Sequence, residues 1–224
     1  MKRIIYLVLV ITSMSIANVI AQDKQILVGI SGGVGYTNLP NDYFEDLYSP
    51  KFNAYFGGVV FIPISKILIV GTGINYRKKS RILSDPIEYT DANGNVLGEA
   101  RDEFYSKCLT VPLSAGITIG NKTKFNFCLG GYWGYLFETG YNYDFEIEGR
   151  ESPFIVTDEF SRTDYGFFAR VGLLVPIYKN LYLNFDVSEE LGLKNINSVS
   201  ENQDFFGKTT MQSLSLGVGV AYAF

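Results

Sequence analysis

The sequence predicts an all-β fold: an eight-stranded antiparallel up-and-down transmembrane β-barrel with short periplasmic turns and long extracellular loops. Three observations carry this expectation. Bulky apolar and small side chains alternate with a period of two along eight segments, and nothing beyond residue 24 shows a helical period. The connections alternate between tight turns and long polar loops. The composition, with 17 Phe, 16 Tyr and 23 Gly but no His in 224 residues, suits strands that turn and pack closely, not a helical or disordered chain.

The amino terminus comes first. Lys2 and Arg3 precede an apolar run from Ile4 through Val10 to Ile16, and Val19 and Ala21 are the small residues that signal peptidase reads. Residues 1–21 are therefore expected to be a Sec-type signal peptide, and residues 22–224 one barrel domain bound for the cell outer membrane. A membrane-anchoring helix, the competing reading, needs about 20 apolar residues and this run is shorter. No Cys follows the cleavage site, so a lipid anchor is not expected. Losing Lys2 and Arg3 makes the mature chain more acidic than the −4 of the whole sequence, which disfavours nucleic acid as a partner.

Eight strands follow. Ile26 to Tyr36 sets Val28, Ile30 and Val34 on one face and Gly29, Ser31 and Gly33 on the other. The same division marks Phe52 to Ile62, Leu68 to Lys79, Leu109 to Gly120 and Phe125 to Phe137. It returns in Tyr165 to Val175, Leu181 to Val187 and most regularly Ser213 to Phe224, where Leu214, Leu216, Val218 and Val220 oppose Ser213, Ser215, Gly217 and Gly219. Which face points outward decides the kind of barrel. A soluble lipocalin-like barrel would hold the bulky face inside, but an eight-stranded interior has room for only a modest set of side chains. The small face fits inside, so the bulky face meets lipid, and segments of about 9 to 11 tilted residues match the hydrocarbon thickness.

The chain resembles small outer-membrane β-barrels of Gram-negative bacteria, and more narrowly those of the PorT-like and OmpX-like kind. The resemblance spans Asp23 to Phe224 and rests on Gly29 to Tyr36, on Leu109-Thr110-Val111-Pro112-Leu113 and on the ending Ser213 to Phe224. It implies outer-membrane lipid as surroundings and, for some relatives, service in a secretion or gliding apparatus. The terminal pair Tyr222 and Phe224 is similar to the signal that the outer-membrane assembly machinery recognises.

The candidate functional residues are polar groups placed by strand parity. Arg170 and Asp186 lie equally far from a turn centred at Tyr178 and are expected opposite or one diagonal apart inside the barrel. Arg77, Glu190 and Glu138 are expected to join this interior network, which reads either as a packed plug or as a polar path for small solutes. Tyr141, Tyr143, Phe145 and Phe154 are expected on a protruding hairpin that binds a partner by edge pairing or packs on neighbouring loops. Lys78, Lys79 and Arg81 just beyond the bilayer read either as contacts to lipopolysaccharide phosphates or as a solvated strand end. Asp91-Ala92-Asn93-Gly94 is a tight-turn sequence.

Chemistry beyond binding is disfavoured. Without His, the chain lacks Ser-His-Asp and Cys-His nucleophile systems, and imidazole bases or ligands, so no enzyme activity and no cofactor are expected. Acidic residues such as Asp42, Glu45 and Asp46 lack the spacing of a calcium loop, and no metal site is expected. Cys108 and Cys128 fall near opposite ends of neighbouring strands, about 30 Å apart at the usual rise, and are expected to remain free thiols. The expected role is that of a barrel acting structurally or by binding partners through its loops.

Overall fold

The computed structural model describes residues 25–41, 45–90, 93–143, 153–198 and 207–224, so the expected signal peptide, Asp42 and Phe145 lie outside it. The chain order is β1 (Leu27–Asn38), β2 (Tyr48–Pro63), β3 (Leu68–Leu83), β4 (Ile87–Thr90), β5 (Val96–Ala100), β6 (Glu103–Ile119), β7 (Lys124–Asn142), β8 (Phe154–Ile155), β9 (Thr163–Tyr178), β10 (Leu181–Gly192) and β11 (Gln212–Ala223). β1, β2, β3, β6, β7, β9, β10 and β11 are the eight staves. Each pairs antiparallel with the next, β6 with β7 and β7 with β9, and β1 pairs with β11 from Leu27↔Ala223 to Asn38↔Gln212. The barrel is closed.

Closure follows from the alternation. On β1 and β11 the pairs Ile30↔Val220 and Val34↔Leu216 point outward, while Ser31↔Gly219 and Gly35↔Ser215 point inward. Ile30, Leu129 and Phe56 are 69%, 72% and 64% exposed, a band that would be untenable in water and is satisfied by lipid. Rings continue the band toward the extracellular side, where Tyr36 meets Phe52 at 5.0 Å and Phe56 meets Tyr76 at 5.3 Å. At the other end Tyr222 and Phe224 stand 4.9 Å apart, with the Phe224 N–H donating to the Ile26 carbonyl at 2.9 Å.

Turns and loops sort to opposite ends as expected. The short turns are 64–67, 120–123 and 179–180, and Gly120 adopts φ +112°, a conformation an L side chain rarely takes. The long loop 84–102 carries the β4–β5 hairpin, whose turn places Gly94 at φ +84°. Cys108 opposes Leu136 and Cys128 opposes Gly116, so the two buried thiols sit at different heights and are free.

Two departures matter for the site. β3 runs four residues past the expected end at Lys79, and β6 begins six residues earlier than Leu109. The β6–β7 register shifts between Lys107↔Glu138 and Cys108↔Leu136, leaving Phe137 as an extra residue. Such a bulge reverses strand parity beyond it.

Placing a cation in the lipid-facing band tests the assignment of faces. Phe185→Arg, near the middle of β10, is expected to destabilise the barrel by roughly 2–4 kcal/mol in urea titrations of protein folded into vesicles, whereas Phe185→Leu changes little.

Candidate functional site

Inward parity brings a set of charged and polar side chains from five staves to one level of the lumen. β3 supplies Arg77 and Lys79, β10 Glu190, β6 Thr110, and β7 and β9 the pair Tyr132 and Asp164. Glu190 is the hub. It forms ion pairs with Arg77 Nη2 at 3.2 Å and Lys79 Nζ at 2.9 Å, and Thr110 Oγ1 donates a hydrogen bond to it at 3.1 Å. Arg77 also donates to Ser213 Oγ at 3.0 Å and lies over the Tyr55 ring at 5.0 Å. Lys79 lies over the Tyr132 ring at 5.0 Å, and the Tyr132 hydroxyl donates to Asp164 Oδ2 at 2.6 Å. Arg77, Lys79 and Glu190 are 3%, 0% and 1% exposed, so water plays little part in screening them.

A second pair lies one level nearer the turns. Arg170 Nη2 and Asp186 Oδ2 are 2.9 Å apart, and Asn184 Nδ2 donates to the same oxygen at 2.9 Å. Asp186 faces Gly172 and Arg170 faces Ser188, so the pair is the diagonal one. A glycine on β11 gives it room: a Cβ at Gly217 would push against the Tyr55 hydroxyl and come within 2.9 Å of Asp186 Oδ2, so both side chains would have to shift.

Apolar layers close the network at both ends. Toward the turns, Leu27, Val59, Phe61, Ile69, Leu174 and Ala223 pack together. Toward the loops, Leu39, Phe104, Leu136, Val156, Ile196 and Met211 form a cap against which Tyr141 and Phe160 pack. Between the layers the cavity bordered by Tyr55, Arg77, Arg170 and Asp186 measures about 20 Å³, room for about one water molecule. The expected network of Arg77, Arg170, Asp186 and Glu190 is therefore together and enclosed.

Other expected residues are placed differently. Glu138 does not join the interior set. The bulge at Phe137 turns it to the outer face, where Lys107 Nζ and the Tyr105 hydroxyl reach it at 2.8 and 2.7 Å. Lys79 and Arg81 are not at the lipid headgroups either, because β3 keeps its parity through them. Lys79 is in the lumen, and Arg81 is buried between the rings of Tyr48 and Phe104 at 4.2 and 5.3 Å. Lys78 alone of the three faces out, bound to Glu103 at 2.8 Å beside Lys51. Of the hairpin residues, Tyr141 faces the cap, 4.9 Å from the Phe104 ring, Tyr143 is half-buried, and Phe154 pairs across from Tyr141 with its ring half exposed. Tyr132 and Asp164 were missed as members of the network. A tyrosine on an otherwise small inner face was the signal for the first.

Removing the hub while leaving its cations buried has a definite cost. Glu190→Leu is expected to destabilise the barrel by about 3–5 kcal/mol, since Arg77 and Lys79 lose their counter-charge in a dry interior. Adding Arg77→Met and Lys79→Met should recover most of the loss in the same urea titration, because an apolar filling of similar volume suits the site.

Comparison with known proteins agrees with the geometry. Among solved structures the chain is similar to Neisserial surface protein A, with 10% identity over 89% of this chain and 97% of that one at a TM-score of 0.51. It is also similar to OprG from Pseudomonas aeruginosa, with 12% identity, 90% and 97% coverage and a TM-score of 0.49. A further similar structure is Ail of Yersinia pestis in complex with the heparin analogue sucrose octasulfate, at 12% identity, 89% and 99% coverage and a TM-score of 0.46. No curated protein sequence matches the chain. The model of the outer membrane protein beta-barrel domain matches residues 20–198, and the chain, a closed eight-staved barrel with a lipid-facing exterior, belongs to that family.

Proposed function

We propose that this outer-membrane protein is a non-enzymatic barrel with a side-chain-filled lumen, acting structurally or by binding partners through its extracellular loops. The observation that carries this reading is the interior: among the described residues the cavity beside Tyr55, Arg77, Arg170 and Asp186 measures about 20 Å³ and lies between two apolar layers, which supports a filled lumen. The alternative of a narrow pore would require Glu190 to part from both Arg77 and Lys79 inside a dry barrel. With the lumen full, the loop end offers a surface for recognition, where β7 and β8 form the base of a hairpin with the half-exposed side chains of Phe154 and Ile155. Lys78, beside Lys51 and Lys107, supports a contact to lipopolysaccharide phosphates at the same height.

Export by the Sec pathway with cleavage after Ala21, and folding through the assembly machinery by way of Tyr222 and Phe224, belong to this reading. A place in a PorT-like secretion or gliding apparatus is its narrower form, supported by the strand motifs at Gly29 to Tyr36 and Leu109 to Leu113.

Planar-bilayer recordings of the refolded barrel are expected to show no stable open level, and a steady conductance would refute the filled lumen. For partner binding, residues 144–152 are to be exchanged for a Gly-Ser linker. The exchange spares Val156 in the cap and Thr157, whose hydroxyl accepts from the Thr139 N–H at 3.0 Å. Capture of envelope proteins from outer membranes should be lost with urea stability unchanged. Capture that persists would move recognition off the hairpin.

A further inference from the structure

The turn end of the barrel holds a second cavity that the filled lumen does not account for. It measures about 360 Å³, within the roughly 300–1,000 Å³ usual for small-ligand sites, and opens toward the periplasm between the turns 64–67 and 120–123. Its inner wall is apolar, made by Leu27, Ile69 and Leu174, the underside of the turn-end apolar layer. Lys66 and Lys124 stand at its rim, with Lys124 Nζ 5.6 Å over the centroid of the Tyr182 ring.

Set into that wall are polar atoms with no partner. Thr118 on β6 and Asn126 on β7 face each other across the ladder, both directed inward. Asn126 is 0% exposed, yet neither its Nδ2 nor its Oδ1 has a hydrogen-bond partner, and the Thr118 hydroxyl is likewise buried and unpaired. A buried amide that uses neither its donor nor its acceptor is rare in a native structure and needs an explanation. The parts are complementary to one chemistry. An amide offers Asn126 an acceptor and a donor together, a short side chain suits the Leu and Ile wall, and a carboxylate suits two ammonium groups at the rim.

We propose that the periplasmic mouth binds the carboxyl end of a short peptide or acylated amino acid, its amide on Asn126 and Thr118 and its carboxylate between Lys66 and Lys124. The ligand enters from the periplasm and stops at the apolar layer, so the site is independent of the loops and of the charged network above.

The test uses the full mature barrel in detergent micelles, with N-acetyl-alanyl-alanine as the probe, followed by the NMR signals of the Asn126 side-chain NH₂. Those signals are expected to shift saturably with the free acid. The C-terminal amide of the same dipeptide, and inorganic phosphate, are each expected to bind at least about tenfold more weakly, a difference equivalent to one lost charged contact. Lys66→Ala with Lys124→Ala, one change in the exposed turn and one at the first residue of β7, should weaken the acid by a similar factor with urea stability of the barrel unchanged. Absence of a saturable shift overturns the proposal, as does equal binding of the amide-capped dipeptide or of phosphate, or unchanged affinity in the double variant.

Discussion

The pairing of β1 with β11 is the constraint on which everything else depends. In hydrocarbon no water is available to an unpaired N–H or C=O, so a sheet can exist there only when its first and last strands meet. The twelve pairs from Leu27↔Ala223 to Asn38↔Gln212 accomplish this, and they fix parity around the whole circumference. Once Ile30 and Val220 face lipid, Ser31 and Gly219 must face in. Eight staves then leave a narrow lumen, in which a Cβ at Gly217 would already press on Tyr55 and Asp186.

A narrow lumen also explains the form of the charged network. An isolated charge between apolar layers would carry a large desolvation cost, so each cation there has a carboxylate partner and each carboxylate has further donors. Glu190 serves Arg77 and Lys79 together, and Asp186 serves Arg170 with help from Asn184. Such a cluster adds little net stability over an apolar filling. Its effect is on specificity: a strand slipped by one residue would turn Arg77 or Glu190 into lipid, so the network penalises wrong register more than it rewards the right one.

Legibility in the sequence follows the same physics. Where the ladder is regular, period-two reasoning places residues on the face where the structure has them: Arg170 and Asp186 inside as close neighbours, opposite or diagonal, Arg77 and Glu190 inside, the two thiols at separate heights. It failed where the count was interrupted or stopped early. Glu138 is one residue beyond a bulge that apolar patterning cannot reveal, because Phe137 looks like any other outward aromatic. Lys79 and Arg81 look like a solvated strand end, since a basic run reads as polar. Continuing the parity of Arg77 through them would have put both inside, where the rings of Tyr132, Tyr48 and Phe104 receive them. The unpaired state of Asn126 is invisible to patterning of any kind, because it depends on what the two neighbouring staves, β6 and β9, do not offer.

Stave length distributes the protein's tasks between its ends. β1, β10 and β11 have 12 residues each, which at the usual rise and tilt cover roughly 30 Å and suffice to span the bilayer. β2, β3, β6 and β7 have 16 to 19, so one side of the wall stands on the order of 10–15 Å taller. That extension is backed on its inner side by Phe104, Tyr141 and Phe160 and carries Lys51, Lys78 and Lys107 outside. The packed backing gives the tall wall an apolar core of its own beneath the loops. The turn end has no such extension, and its recognition chemistry is confined to what the mouth of the barrel itself presents. The two proposed sites therefore differ in kind: a broad, protein-sized surface above the wall and a small, enclosed one beneath the apolar layer.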